Sequence, residues 1–225
     1  MAKSKSRSDA DRPSPTRSVS HLIILGHPAT ESFNAAIAKR YVETVHANHQ
    51  ETVLRDLYAL GFDPLLKESE RSISKDQPFS PDVENELDLI RKCDVVTFVY
   101  PLWFGTPPAI IKGYLDRVFG AGFRFTDLAT RKNDLFGGKR LAVVTTSAST
   151  MPWLESQGMW ISLRQSFEQY LKAVFGFAKN YHYHADAIVD DLGQAEAHRI
   201  LYEVEAFART ICAEAAMSGR AHLRL

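Results

Sequence analysis

Five short apolar runs, separated by stretches of helical period, constrain the fold of this chain more than any other feature. They fall at residues 21–25 (HLIIL), 52–57, 94–100 (DVVTFVY), 140–145 (RLAVVT) and around 178–184. HLIIL shows no polar alternation, as expected of a strand buried on both faces. Arg55 and Asp56 interrupt the second run and place it nearer an edge. Residues 32–49 carry Phe33, Ala36, Ile37, Tyr41 and Val45 along one side of a helix. A second helix starts at Pro81-Asp82, where proline and an acid suit a first turn, and shows Val83, Leu87 and Ile90 on one side. Residues 108–119, a segment within 160–175, and about 194–217 read as further helices. Residues 61–81 hold Gly61, Pro64, Pro78 and Pro81 among many charges and read as a long connection, of the kind used as a lid or a dimer contact.

Strands alternating with helices imply βαβ units around a parallel sheet. With right-handed crossovers, the expectation is a three-layer α/β sandwich whose five-stranded parallel sheet runs in the order 2-1-3-4-5. Such sheets bind ligands beyond the carboxyl ends of their strands, where the strand order reverses. The loops that leave strands one, three and four therefore carry the search for a site.

Composition narrows the partner. At 225 residues, 45% of them hydrophobic, the chain fits one domain with a sizeable core. Lysine plus arginine (27) balances aspartate plus glutamate (27), so no global field gathers nucleic acid or an anionic membrane, and a small molecule is expected instead. Residues 1–19, rich in Ser, Lys, Arg and Pro, read as a disordered basic tail, with the domain at 20–225. No apolar run approaches the roughly 20 residues needed to cross a bilayer. Cys93 and Cys212 lie far apart in apolar segments and read as buried, inert thiols of a cytoplasmic protein. His182 and His184 have strand spacing and share a face, but no carboxylate or cysteine cluster beside them in sequence argues for a metal.

Loop one, GHPATESFNAAI, sets Thr30, Ser32 and Asn34 just before an apolar-periodic run. Any one of them serves as a helix cap. Taken together, with His27 beside a helix N-terminus, they suit a phosphate cradle. No GxxxxGK[ST] occurs, and the loop has no GxGxxG, which argues against P-loop and dinucleotide sites. Loop two, PLWFGTPP, passes through Gly105 and the Pro107-Pro108 pair on a tight path into the next helix. Trp103 and Phe104 are either core aromatics or, at the switch point, walls for a planar ligand. Loop three, TTSASTMPWLESQGMW, spans residues 145–160.

YPLWFGTPPAIIKGYLDRVFGAGFRF, preceded by GHPATESFN and RDLYALGFDP, resembles the flavodoxin-like NAD(P)H:quinone oxidoreductase family over about residues 21–190. The resemblance implies a homodimer with non-covalent FAD or FMN that passes a hydride from NAD(P)H to a quinone or related acceptor by a ping-pong route. It assigns His27, Ser32, Phe33, Asn34 and Ala36 to the ribityl and phosphate groups. Pro101, Leu102, Trp103, Phe104 and Gly105 fall to the flavin ring, and Thr145, Thr146, Ser147 and Ala148 to its pyrimidine edge. Phe125 and Trp153 are acceptor walls or, equally, dimer core. Because the cofactor carries the redox chemistry, no side-chain acid, base or nucleophile is nominated. The sequence departs from the family pattern in two places. PLWFG is one residue short of the usual motif, and Thr-Thr-Ser-Ala stands where the family has Thr-Thr-Gly-Gly. Further on, Trp153 and Met159 occupy the places of a tyrosine and a histidine proposed to stabilise charge on the flavin. Weakened catalysis would suit a second reading, a regulatory flavoprotein of a potassium efflux transporter; a third is a flavin-free relative of the same fold.

Overall fold

The structure, a computed structural model, describes residues 17–71, 78–123, 130 and 133–221. Five parallel strands form one sheet in the order β2-β1-β3-β4-β5: β1 Ser20–Leu25, β2 Glu51–Asp56, β3 Val95–Pro101, β4 Arg140–Thr146 and β5 Lys179–Ala185. This is the fold and order expected from the alternation of runs. β2 lies at an edge, in keeping with its interrupted pattern. Helices α1 (Phe33–Ala47) and α7 (Gln194–Ala221) cover one face, and α2 (Pro81–Lys92), α3 (Ala109–Tyr114) and α6 (Tyr170–Phe175) the other.

The period-2 geometry of the strands divides the core in two. Leu22, Ile24, Val96, Phe98, Tyr100, Leu141 and Val143 pack with α2, α3 and α6. Ile23, Leu25, Val95, Val99, Ala142 and Val144 pack with α1 and α7. The second layer holds a buried polar chain in which every bond finds a partner. His21 Nε2 lies 2.9 Å from Gln50 Oε1, and its Nδ1 lies 3.1 Å from the Tyr41 hydroxyl, which accepts from Thr97 at 3.1 Å. Burial pushes the His21 imidazole down to about 4, so the ring is neutral near pH 7. Cys93 and Cys212 are both buried, and burial pushes each thiol up to about 11.

Arg17 donates to the Lys92 carbonyl and pairs with Asp94, and Val19 packs against the second core layer. Residues 61–71 of the long connection are pinned to the helix that follows β3. Arg117, fully buried, binds Glu70 at 2.6 and 2.8 Å, Asp82 at 2.7 and 3.1 Å and the Asp63 carbonyl at 2.6 Å, with Phe62 under its guanidinium. Arg117 belongs to a π turn, Leu115–Phe119, that continues α3.

The second half of the sheet departs from the sequence expectation. Residues 145–160 are not one loop, because α4 (Met151–Ser156) interrupts them, with Pro152 in its first turn and the Met151 N–H donating to Asp186 at 2.6 Å. The helix expected within 160–175 is α5 (Met159–Arg164) and α6, joined by a second π turn at Gln165–Gln169. There the Tyr170 N–H reaches back five residues to the Gln165 carbonyl, and the extra residue turns Glu168 inward, where it is buried.

Candidate functional site

Parallel strands send all their carboxyl ends to one edge, so the loops after β1, β3 and β4 emerge side by side. The connection after β1 turns to α1 on one face and that after β3 turns to α3 on the other, which opens a crevice between two adjacent strands. Gly26 starts loop one against α3, and a Cβ there would stand 2.5 Å from Ile111 Cγ1. The close approach requires glycine.

In loop one, Ser32 is the N-cap of α1 and its hydroxyl accepts from the Ala35 N–H at 3.1 Å. The N–H groups of Phe33 and Asn34 belong to the first turn, where a helix has no internal acceptor to offer. Phe33 packs against the core, and Ala36 is half-buried. Thr30 and Glu31 are exposed. The His27 ring stands 5.7 Å from that of Trp103, and Asn34, buried, donates to Thr146 Oγ1 at 3.0 Å.

Loop two is a tight turn. Trp103 and Thr106 exchange two backbone hydrogen bonds at 3.0 Å, and Phe104 and Gly105 between them have φ of 51° and 74°. Positive φ at both central positions is the mark of the type I′ hairpin turn. Glycine adopts it freely, whereas phenylalanine in the left-handed region costs about 1–2 kcal/mol. Phe104 is fully exposed at the tip. The path is anchored by the Leu102 N–H, which donates to the Thr146 carbonyl at 2.7 Å, and by Pro101, in register with Thr146. Since the N–H groups of Leu102, Trp103 and Thr106 are engaged, a ligand edge meeting this loop finds those of Phe104 and Gly105.

In loop three, Thr145, Thr146 and Ser147 are buried and Ala148 is exposed. The Ser147 N–H donates to Ala185 at 3.0 Å, so it is held by the sheet. Trp153 lies on α4 and is half exposed. Phe125 lies outside the described residues.

A cavity of about 700 Å³ opens beside loop two, between β3, β4 and the α5–α6 segment. Of the residues expected from sequence, Leu102, Gly105 and Thr145 line it, together with Tyr100, Phe119, Trp160 and Phe167. Loop one does not line it and reaches the same edge through Asn34 and His27. The site thus has a polar half at the α1 N-terminus and an aromatic half beside loop two.

Sequence reasoning missed the ionisable groups of the cavity. Glu168 and His182 line it, 2.6 Å apart. Burial raises the Glu168 carboxyl, but bonds from His182 and Arg164 outweigh it and hold the group below its usual range. The same-face spacing of His182 and His184 was the legible signal; the carboxylate that bonds His182 is 14 residues away in sequence. Among the described residues, no group of three or more His, Cys, Asp or Glu side chains is arranged to hold a metal ion. No helix among them is long and apolar enough to cross a membrane.

Comparison with known proteins agrees with this fold. The family described by a flavodoxin-like fold matches residues 20–200. An uncharacterized NAD(P)H oxidoreductase of Haemophilus influenzae is 35% identical over 146 residues, 64% of this chain and 72% of that protein. NAD(P)H dehydrogenase [quinone] 1 of Cavia porcellus is 33% identical over 147 residues, which span 57% of this chain and 53% of the guinea-pig protein. Among solved structures, an NAD(P)H:quinone oxidoreductase from Methanothermobacter marburgensis superposes with a TM-score of 0.76 at 24% identity, covering 87% of this chain and 96% of that one. An FMN-dependent NADH-azoreductase from Bacillus anthracis in complex with FMN gives 0.62 at 18% identity, covering 86% and 99%.

Proposed function

Because the chain belongs to the family with the flavodoxin-like fold, we propose that it is a flavin-dependent NAD(P)H oxidoreductase acting on a quinone or related acceptor. The observation that carries this reading is the joining of the three loops at one sheet edge. The Thr146 side chain holds Asn34 at 3.0 Å, its carbonyl holds the Leu102 N–H at 2.7 Å, and Trp103 meets His27.

The donor set suits FMN or FAD. The α1 N-terminus, with N–H groups of its first turn and the hydroxyls of Thr30 and Ser32, offers hydrogen bonds and the positive end of a helix dipole to a phosphate. The N–H groups of Phe104 and Gly105, which the turn's backbone bonds do not use, would meet the edge of a planar ring, and Trp103 would supply an aromatic side. A bound flavin would supply hydride acceptance and donation. The protein's part is orientation: the two-residue turn would hold the ring edge, and the aromatic side of the cavity, formed by Tyr100, Phe119, Trp160 and Phe167, gives an apolar wall for a planar acceptor. The reading includes a homodimer, with Phe125 and Trp153 as further walls of the acceptor site and NAD(P)H as hydride donor.

The test begins with the purified protein. Flavin absorbance, with mass spectrometry of the cofactor released on denaturation, distinguishes FMN from FAD; oxidation of NADH or NADPH with a benzoquinone as acceptor reads the activity. A colourless preparation that takes up neither flavin refutes the proposal. A flavin-loaded protein without turnover refutes its enzymatic part.

A further inference from the structure

Beneath loop three, five side chains line up in a single hydrogen-bonded chain. Glu168 Oε2 lies 2.6 Å from His182 Nδ1, and His182 Nε2 lies 2.9 Å from Thr145 Oγ1. The same hydroxyl lies 2.8 Å from His184 Nδ1, and His184 Nε2 lies 3.1 Å from Ser147 Oγ. Ser147 in turn donates to the Ser149 carbonyl at 2.8 Å. That last bond sets the direction of the rest. A hydroxyl has one proton to give, so Ser147 accepts from His184 Nε2–H. Burial pushes the His184 imidazole down to about 4, and a neutral ring protonated at Nε2 has its lone pair at Nδ1. Thr145 therefore donates to His184 and accepts from His182 Nε2–H. One further proton lies between His182 Nδ1 and Glu168 Oε2.

We propose that this chain is a proton relay, with the Glu168–His182 pair as its store and Ser147 as its delivery point. Its acceptor is an anionic oxygen or nitrogen of a ligand seated against loop three; on the flavin reading, upon which the proposal rests, that is the pyrimidine edge of the cofactor. When such an atom replaces Ser149 as the partner of Ser147, the Ser147 proton passes to it. Ser147 takes the proton from His184 Nε2, His184 takes the Thr145 proton on Nδ1, and Thr145 takes the proton from His182 Nε2. His182 keeps the proton that it shares with Glu168, so one proton has left the pair, both hydroxyls have a proton again, and His184 ends as the Nδ1–H tautomer, whose ring must turn before a second proton can follow. Glu168 and His182 line the cavity, where water recharges them.

The surroundings suit this role. Arg164 on α5 holds Glu168 Oε1 at 2.5 Å, and Trp160 covers both imidazoles at 4.9 and 5.1 Å. Asp186 follows on β5's far end, Tyr100 stands on β3, and Lys112 and Asp116 line the cavity from the α3 side.

Three variants and two readouts test the proposal. In nitrogen-15 histidine NMR of the full chain, with or without flavin, His184 should be the neutral Nε2–H tautomer and His182 should show a strongly deshielded Nδ1 proton. Glu168→Gln should abolish that proton signal and leave the His184 tautomer unchanged. A His184 protonated at Nδ1 near pH 7 overturns the direction of the chain, whether or not the protein binds flavin. In the flavin-loaded protein, Thr145→Val cuts the relay and keeps the Glu168–His182 pair. Its kcat should fall about 100-fold, the lower bound of general acid–base effects, with KM for NAD(P)H unchanged. Its rate should then decline with rising pH as solvent protons become the source, and Thr145→Ser should restore the wild-type profile. An unchanged kcat in Thr145→Val with normal tautomers refutes the relay and leaves the flavin reading standing; failure to bind flavin with the expected tautomers does the reverse.

Discussion

Replacing Arg117 by alanine tests how the long connection is held against the cavity wall. The guanidinium forms two hydrogen bonds to each of two carboxylates, and those carboxylates differ in what they can do without it. Asp82 has a side chain 45% exposed and can turn to water, whereas Glu70 is 1% exposed and cannot. An uncompensated buried carboxylate is the main cost, about 3–5 kcal/mol. For a chain of this size that lowers Tm by about 6–20 °C. The pH dependence has a defined sign. Arg117 holds the Glu70 carboxyl down at about 2 against an ordinary 4.5. Its stabilisation is therefore complete above about 4.5 and is lost as pH falls toward 2. In Arg117→Ala the same carboxyl is buried without a cation, so protonation relieves the variant, and the gap to wild type narrows on acidification from both sides. Urea unfolding at pH 7 and pH 4 measures both quantities. A double variant, Arg117→Met with Glu70→Leu, should recover most of the loss, since no charge is then left buried. A loss below about 1 kcal/mol at pH 7 would refute the reasoning, because that is the worth of an exposed ion pair. So would a gap that does not shrink at low pH.

Two further predictions concern the sheet. His21 and His184 are both pushed down to about 4 by burial, so the unfolded chain binds protons from about pH 6.5 downward that the folded chain refuses. Their contribution is whole above that pH and falls as pH drops toward 4, by at most about 2.7 kcal/mol per unit for the two; urea unfolding between pH 7 and 5 should show the slope, and a flat profile would contradict it. Asn34→Ala removes the bond between loops one and three and leaves the Thr146 hydroxyl buried, at a cost of about 1–3 kcal/mol. Thermal unfolding should register it, and flavin affinity should fall with it; a variant as stable and as tightly loaded as wild type would show that this contact does not join the loops.

Most of the fold was legible because it is written in short-range pattern. HLIIL and DVVTFVY are buried on both faces, and Arg55 and Asp56 marked β2 as an edge. The helix at α4 was not legible, since its residues have no apolar period and its start depends on Asp186, 35 residues away. The two π turns were read as plain helix for a different reason: their apolar residues are spaced much as in an α-helix, and the extra residue shows only once Arg117 and Glu168 are seen facing inward. In loop two, proline and glycine announced a tight path, but the positive φ of Phe104 is a property of the closed turn, not of phenylalanine.

The site divides along the same line. The sequence determined that three loops carrying Ser32, Asn34, Trp103 and Thr145 would reach one sheet edge, since parallel strands and right-handed crossovers leave few other arrangements. Which groups then touch was decided by tertiary structure alone. Thr145 meets His184 because β4 and β5 pair in that register, and His182 meets Glu168 because a π turn rotates one residue of a neighbouring helix toward the sheet. Hydrogen bonds depend on ångström distances between residues far apart in the chain, and such distances leave no periodic mark on the sequence.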